Sequence, residues 1–213
     1  MSICTGMSAE VVSLPARAPS LGPILSLTQT SMNAVNQIIL DRMQSEIPLI
    51  PALAGHLISG GGKRMRPMLT LAGAAVCGYQ GTRHHRLAAA VEFIHTSTLL
   101  HDDVVDGSET RRGQSTANIV FGNPAAVLVG DFLFARAFEL MVEDGSLRVL
   151  KILSSASAII AQGEVDQLVA QRRVETSEDR YLHIIGSKTA ALFAAASRIA
   201  AVVAETSDVE EQA

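Results

Sequence analysis

Apolar residues recur along most of this chain at three- and four-residue spacing, the period of a helix with one buried stripe. Nowhere do apolar and polar positions alternate long enough to read as a strand. The pattern predicts helices over 27–45, over 50–59, from Arg66 to Gly78, over 83–107, from Pro124 to Glu143, over 146–171 and over 177–204. Pro48 and Pro51 stop the first of these, and Gly60-Gly61-Gly62 ends the second. Pro67 suits the opening turn of the third, because the amide it lacks would have no intrahelical partner there. Gly113 and Gly122-Asn123-Pro124 mark a loop, and Asp144-Gly145 a turn. Long helices with short connections predict an all-α, antiparallel helical bundle, an architecture that places its sites between facing helices.

Composition strengthens that reading. Of 213 residues, 48% are apolar, with many Ala and Leu, no Trp and few β-branched runs, which is enough for one sizeable core and favours helix over sheet. The net charge of −4 argues against a nucleic-acid binder. Basic residues are local instead: Lys63-Arg64-Met65-Arg66, Arg111-Arg112 and Arg172-Arg173. Cys4 and Cys77 are too few for a disulfide framework; Cys77 reads as a small buried hydrophobe, and a reducing, cytoplasmic setting fits. Residues 1–23, rich in Ser, Ala and Pro, read as a flexible arm without the features of a secretory leader, and 24–213 as one domain. No apolar run reaches a transmembrane length; 189–204 comes nearest, is interrupted by Ser197 and Arg198, and reads as core helix.

The chemistry concentrates in the stretch from Glu92 to Asp106, followed by Arg111-Arg112-Gly113. Asp102, Asp103 and Asp106 fall within five residues on an otherwise apolar helix, and buried charge is costly unless compensated. Asp102 and Asp106 are one turn apart and share a face. A hard divalent cation, Mg²⁺ above all, suits them: it takes one or two carboxylates and completes its shell with water and phosphate oxygens. Arg111 and Arg112 can grip phosphate through their planar donor forks. His95, seven residues before Asp102, reads either as a satisfied core histidine or as a ligand-binding group, and its alignment with the aspartates favours the latter. His101 reads as structural, and His84-His85 as solvated surface. Gly60-Gly61-Gly62-Lys63-Arg64-Met65-Arg66-Pro67 reads either as a solvated basic loop or as a diphosphate-sized anion site, where glycines admit a ligand to the backbone beside a helix N-terminus. Gly186-Ser187-Lys188-Thr189 is not a nucleotide loop, since Ser187 intervenes and no strand precedes it, but Lys188 and Thr189 can still reach a phosphate.

Taken in order, Gly61-Gly62-Lys63-Arg64-Met65-Arg66-Pro67, Asp102-Asp103-Val104-Val105-Asp106 with Arg111-Arg112-Gly113, Gly163-Glu164 and Lys188-Thr189 resemble the trans-polyprenyl diphosphate synthases, in particular the long-chain octaprenyl, solanesyl and decaprenyl types. Terpene cyclases share a bare Asp-Asp-x-x-Asp but generally lack the Gly-Gly-Lys-Arg element. The resemblance implies an all-α bundle around a central cavity, a homodimer, and Mg²⁺-dependent ionisation, condensation and proton elimination between an allylic diphosphate and isopentenyl diphosphate. It implies Asp102 and Asp106 as metal ligands with Asp103 supporting them. It assigns Arg111, Lys188 and Thr189 to the allylic diphosphate, and Lys63, Arg66, His95 and Arg112 to isopentenyl diphosphate. Arg64 is left as a solvated charge. Small Ser97, with Thr98, would leave the cavity floor open for a long product. The family's second Asp-rich motif has no counterpart in this sequence; Asp208, Glu210 and Glu211 do not form it. The fold is therefore expected to be incomplete at its C-terminus and the chain to turn over slowly. The alternative is a non-catalytic diphosphate-binding fragment, or a partner subunit of a complete synthase.

Overall fold

The computed structural model describes residues 20–171, 173 and 175–212, so the expectation for the N-terminal arm, for Cys4 and for Arg172 lies almost wholly outside the described residues. In chain order the helices are α1 (Gly22–Arg42), α2 (Leu49–Ser59), α3 (Met65–Val76), α4 (Arg83–Val105), α5 (Ala117–Phe121), α6 (Asn123–Asp144), α7 (Leu147–Ala170), α8 (Glu178–Ile185), α9 (Ala191–Val203) and α10 (Asp208–Gln212). The all-α expectation holds. α4 lies at the centre, packed along α6 and against α1, α3 and α9. Leu87, Val91, Phe93, Ile94 and Leu100 from α4 meet Leu133 and Leu140 of α6, Leu153 of α7 and Leu192 and Ile199 of α9 in one apolar core. Close approach rests on glycines: a Cβ on Gly130 of α6 would stand 2.3 Å from the His101 ring on α4, and one on Gly73 of α3 would stand 2.9 Å from the Ala200 Cβ of α9.

Several expectations are corrected. α1 begins at Gly22, with Pro23 in its first turn, and ends at Arg42, so Pro48 does not stop it; Pro48 instead caps α2, whose first turn accommodates Pro51. The loop after α4 contains a strand pair, β1 (Thr110–Arg111) antiparallel to β2 (Gln114–Ser115), and then the short α5. Both are too short to leave a periodic signature. The helix expected over 177–204 is interrupted by a π-helical turn, Gly186–Ala190, between α8 and α9. The continuous helical run Glu178–Val203 is long and apolar enough to cross a membrane by length and composition, which revises the reading that no run is. Its α9 part serves as core: Leu192, Ala195, Ala196 and Ile199 are buried, and Thr70 Oγ1 of α3 donates to the Ala196 carbonyl at 2.9 Å. Cys77 caps α3 and is partly exposed rather than buried.

His84 is also corrected. It is buried at the start of α4, edge-on to the Tyr79 ring and beside His85, with its Nδ1 lacking a hydrogen-bond partner. Burial, and then the neighbouring His85, hold its pKa down at about 4, against an ordinary 6.5. The unfolded chain therefore binds a proton between pH 6.5 and 4 that the folded chain refuses, and stability falls as pH falls through that window. His84 alone should make the protein roughly 2 kcal/mol less stable at pH 5 than at pH 7. His84→Phe should remove that part of the pH dependence in denaturant titrations; an unchanged slope would exclude His84 as its source.

Candidate functional site

Two recesses flank α4, and the sequence-predicted residues divide between them. The first lies between α2, the loop 60–64, α4 and the β-hairpin, and is lined by Gly60, Gly61, Gly62, Arg64, Glu92, His95, Asp103, Arg111 and Arg112. The second is a cavity of about 440 Å³ between α4, α6 and α7. Asp102 and Asp106 line it together with Ser97, Thr98, Phe134, Ile160 and Glu164.

The first recess is built by unusual backbone. Arg64 caps α3 in the left-handed region (φ 47°), and Arg112 and Gly113 take φ of 53° and 79° at the centre of the β1–β2 turn. A hairpin joined by two residues favours positive φ at both, because that twist matches the strands. The turn thus swings Arg112 back onto the glycine loop, where a Cβ on Gly62 would stand 2.8 Å from the guanidinium. A side chain at position 62 would make the Arg112 guanidinium shift. Arg111, on β1, is held by Asp103: its Nε lies 3.1 Å from both carboxylate oxygens and its Nη2 2.7 Å from Oδ1. That pairing raises the Arg111 pKa against the cost of burial.

His95 faces this recess too, with its Nε2 3.0 Å from Arg66 Nη1. Burial, and then the field of Arg66, Arg112, Arg111 and Arg64, push the His95 pKa down to about 3. The ring is therefore neutral, its Nε2 accepts from Arg66, and its Nδ1–H remains a donor. The Arg66 guanidinium, whose own pKa burial lowers, also sits 4.3 Å above the Phe193 ring. Lys63 is exposed on the loop just before Arg64. Four arginines thus stand around one glycine loop with a neutral histidine among them, Arg111 being paired to Asp103.

Arg64 departs from the sequence reading: it is an ion-pair partner of Glu92 on α4, not a solvated charge. Glu92 is only 7% exposed, and burial pushes its carboxyl pKa up while Arg64 pulls it down. Sequence reasoning missed Glu92 because its partner lies 28 residues away. The one available signal was a carboxylate on an apolar helix face. Glu92→Ala should cost roughly 3 kcal/mol, since it leaves the Arg64 charge half-buried and unpaired. Thermal unfolding measures this, and a loss below about 0.5 kcal/mol, the level of an exposed ion pair, would contradict a structural role for the pair.

On the other side of α4, Asp102 is partly buried and Asp106 caps the helix, exposed at the cavity mouth. The three aspartates do not act as one cluster. Asp103 points away from Asp102 to Arg111, and the His95 ring, although within about 20° of Asp102 around the helix, is engaged by Arg66 of α3. Arg111 likewise lines the first recess and not the cavity of Asp102 and Asp106. Among the described residues, no group of three His, Cys, Asp or Glu stands close enough to hold a metal unaided. The donor set facing the cavity still suits a hard cation, because two carboxylates leave positions for water and phosphate. A cationic group already occupies that place: Lys188 Nζ, from the π-helical turn, lies 3.3 Å from Asp102 Oδ2 and 2.8 Å from Glu164 Oε2. Burial opposes the Lys188 charge, but Glu164 and Asp102 together outweigh it and raise its pKa. Thr189, the next residue, is exposed. Ser97 is buried in the cavity wall one and a half turns before Asp102, and Thr98 Oγ1 donates to the His95 carbonyl at 2.8 Å.

The helical bundle thus carries an arginine-lined recess and a carboxylate-lined apolar cavity on either side of α4. The model of the polyprenyl synthetase family matches residues 47–213, and the chain belongs to that family. It is 48% identical over 193 residues to the octaprenyl diphosphate synthase of Escherichia coli (strain K12), a match that covers 91% of this chain and 60% of that protein. Among solved structures it is similar to a polyprenyl synthase from Caulobacter crescentus CB15, complexed with calcium and isoprenyl diphosphate, at 52% identity and a TM-score of 0.90, over 93% of this chain and 60% of the other. A decaprenyl diphosphate synthase from Rhodobacter capsulatus gives 52% identity and a TM-score of 0.88, over 91% and 60%. The chain thus spans about 60% of the length of the relatives it matches.

Proposed function

We propose that this chain carries the substrate-binding half of a prenyltransferase that extends an allylic diphosphate with isopentenyl diphosphate into a long-chain, all-trans polyprenyl diphosphate. The observation that carries the reading is the division of charge across α4. Arg64, Arg111, Arg112 and His95 gather at one recess, where Glu92 and Asp103 pair two of the arginines, and Asp102, Asp106 and Glu164 line the apolar cavity beside it. Two diphosphate substrates need two such addresses.

In this reading the first recess takes isopentenyl diphosphate. Arg66 and Arg112 grip its phosphate oxygens, Lys63 closes from the exposed loop, and neutral His95 donates from Nδ1. The allylic tail lies in the second cavity against Ile94, Ser97 and Ile160, which exclude water from the reacting carbon. A divalent cation, Mg²⁺ by family, held by Asp102 and Asp106 would neutralise the diphosphate charge as it leaves. Lys188 and Thr189 contact the same diphosphate, and Arg111, anchored by Asp103, completes the positive field between the sites. The allylic C–O bond breaks with its electron pair leaving on diphosphate. The isopentenyl double bond supplies the new carbon–carbon bond, and a proton is lost from the adduct. A homodimer in the cytoplasm belongs to the same reading.

The test is a single-turnover reaction. Excess chain, Mg²⁺ and farnesyl diphosphate are mixed with labelled isopentenyl diphosphate, and products are resolved by length. Elongated label is the expected outcome. Its rate should lie about 10²-fold or more below that of a longer relative assayed in parallel, since this sequence lacks the family's second Asp-rich motif and each missing set of charge stabilisers costs that order. Two bound diphosphates with no elongated label would instead favour the non-catalytic binding reading, which no observation here favours.

A further inference from the structure

The site assigns no task to Glu164, yet Glu164 is the residue to which Lys188 is bonded most closely. α7 and the π-helical turn meet at Gly163, where a Cβ would stand 2.8 Å from the Ser187 Cβ and 3.1 Å from the Lys188 amide. That contact fixes the neighbouring Glu164 opposite the Lys188 side chain. π-Helical turns inside helices recur at functional sites, because the widened turn re-aims one side chain. Here the turn aims Lys188 between two carboxylates on two other helices: Glu164 of α7 at 2.8 Å and Asp102 of α4 at 3.3 Å. The second Glu164 oxygen, Oε1, is buried with no hydrogen-bond partner.

We propose that Glu164 is a positioning residue that receives the Lys188 ammonium whenever a divalent cation takes Asp102, so that lysine and metal exchange places without leaving either charge unpaired. The inference rests on the metal reading proposed above and deepens it. An ammonium and a divalent cation cannot both sit against one carboxylate oxygen without strong repulsion. Lys188 must withdraw as the cation arrives. A charge drawn into a cavity lined by Ile94, Ile160 and Leu168 has no stable position away from a counter-ion. Glu164 supplies that counter-ion already within hydrogen-bond distance, and its free Oε1 gives the ammonium a second acceptor to turn toward.

The test measures Mn²⁺ binding to the 213-residue chain by electron paramagnetic resonance, with no diphosphate present. Lys188→Met removes the competing charge and should tighten Mn²⁺ binding by roughly tenfold. Glu164→Gln, close in shape, strands Lys188 on Asp102 and should weaken binding several-fold. In the Lys188→Met background, Glu164→Gln should then have almost no effect, because the residue it serves is gone. Equal weakening in both backgrounds would make Glu164 a direct ligand or a simple field source and would overturn the inference. So would a Lys188→Met chain that binds no tighter than the parent. Asp102→Asn separates the two readings. If the parent binds Mn²⁺ and Asp102→Asn does not, the metal reading stands whatever Glu164 does. If the parent binds no Mn²⁺, both fail. Near-ultraviolet circular dichroism of each variant confirms that the bundle is folded, and Glu164→Asp, which keeps the charge, should restore part of the lost affinity.

Discussion

Asp102→Asn and Asp106→Asn should each lower Mg²⁺-dependent elongation by roughly 10²- to 10³-fold, while leaving isopentenyl diphosphate binding within about twofold of the parent. The asymmetry follows from α4. Asp102 and Asp106 open on the apolar cavity, whereas the recess proposed for isopentenyl diphosphate is lined by His95, Asp103, Arg111 and Arg112. Removing one carboxylate takes away one of the two protein ligands that a hard cation would use there, and among the described residues no ready-made group of three ligands stands in reserve. Steady-state assays over a range of Mg²⁺ concentrations, paired with calorimetric titration of isopentenyl diphosphate, read both quantities. Asp103→Asn should behave differently. It frees Arg111 from a bidentate carboxylate, so its effect should fall on both substrates. An Asp102 variant with unchanged Mg²⁺ dependence would remove the metal from this cavity.

Ser97→Phe should shorten the polyprenyl product by several isoprene units. Ser97 is buried, is small, and lines the same cavity as Asp102 and Asp106. A tail anchored by its diphosphate at the aspartates and growing toward the start of α4 must pass it. A benzyl group there would narrow the cavity of about 440 Å³, at the ~1–3 kcal/mol typical of overpacking a buried position. Reversed-phase separation of the products gives the answer directly. An unchanged product length with unchanged rate would mean that the tail runs elsewhere, and would withdraw the open-floor account of long products.

The long helices were legible because their stripes are long: α4, α6 and α7 each exceed twenty residues, and their apolar period survives local irregularities. Short elements were not. α5 and the two-residue strands carry too few positions to establish a period, and the hairpin is set instead by positive φ at Arg112 and Gly113. The candidate site was legible as a set of residue types but not as an arrangement. Helical spacing put His95 on the face of Asp102. Seven residues fall 20° short of two turns, and Arg66 on another helix settles which way the ring turns. Spacing alone also grouped Asp103 with its neighbours, although successive helix positions point about 100° apart and Asp103 meets Arg111 instead. Arg64 looked solvated because nothing local pairs with it, and His84 looked exposed because its cover, Tyr79, arrives across a turn. Each of these contacts joins elements separate in sequence, which local pattern does not encode.

The central claim is that the two faces of α4 address two different diphosphates. The most direct measurement is a pair of calorimetric titrations of the chain with Mg²⁺, one with isopentenyl diphosphate and one with farnesyl diphosphate, repeated on Arg112→Ala and Asp106→Asn. The account predicts a crossed pattern: Arg112→Ala weakens isopentenyl diphosphate by at least tenfold and spares farnesyl diphosphate, and Asp106→Asn does the reverse. If both variants weaken both ligands equally, the faces form one site and the account is wrong.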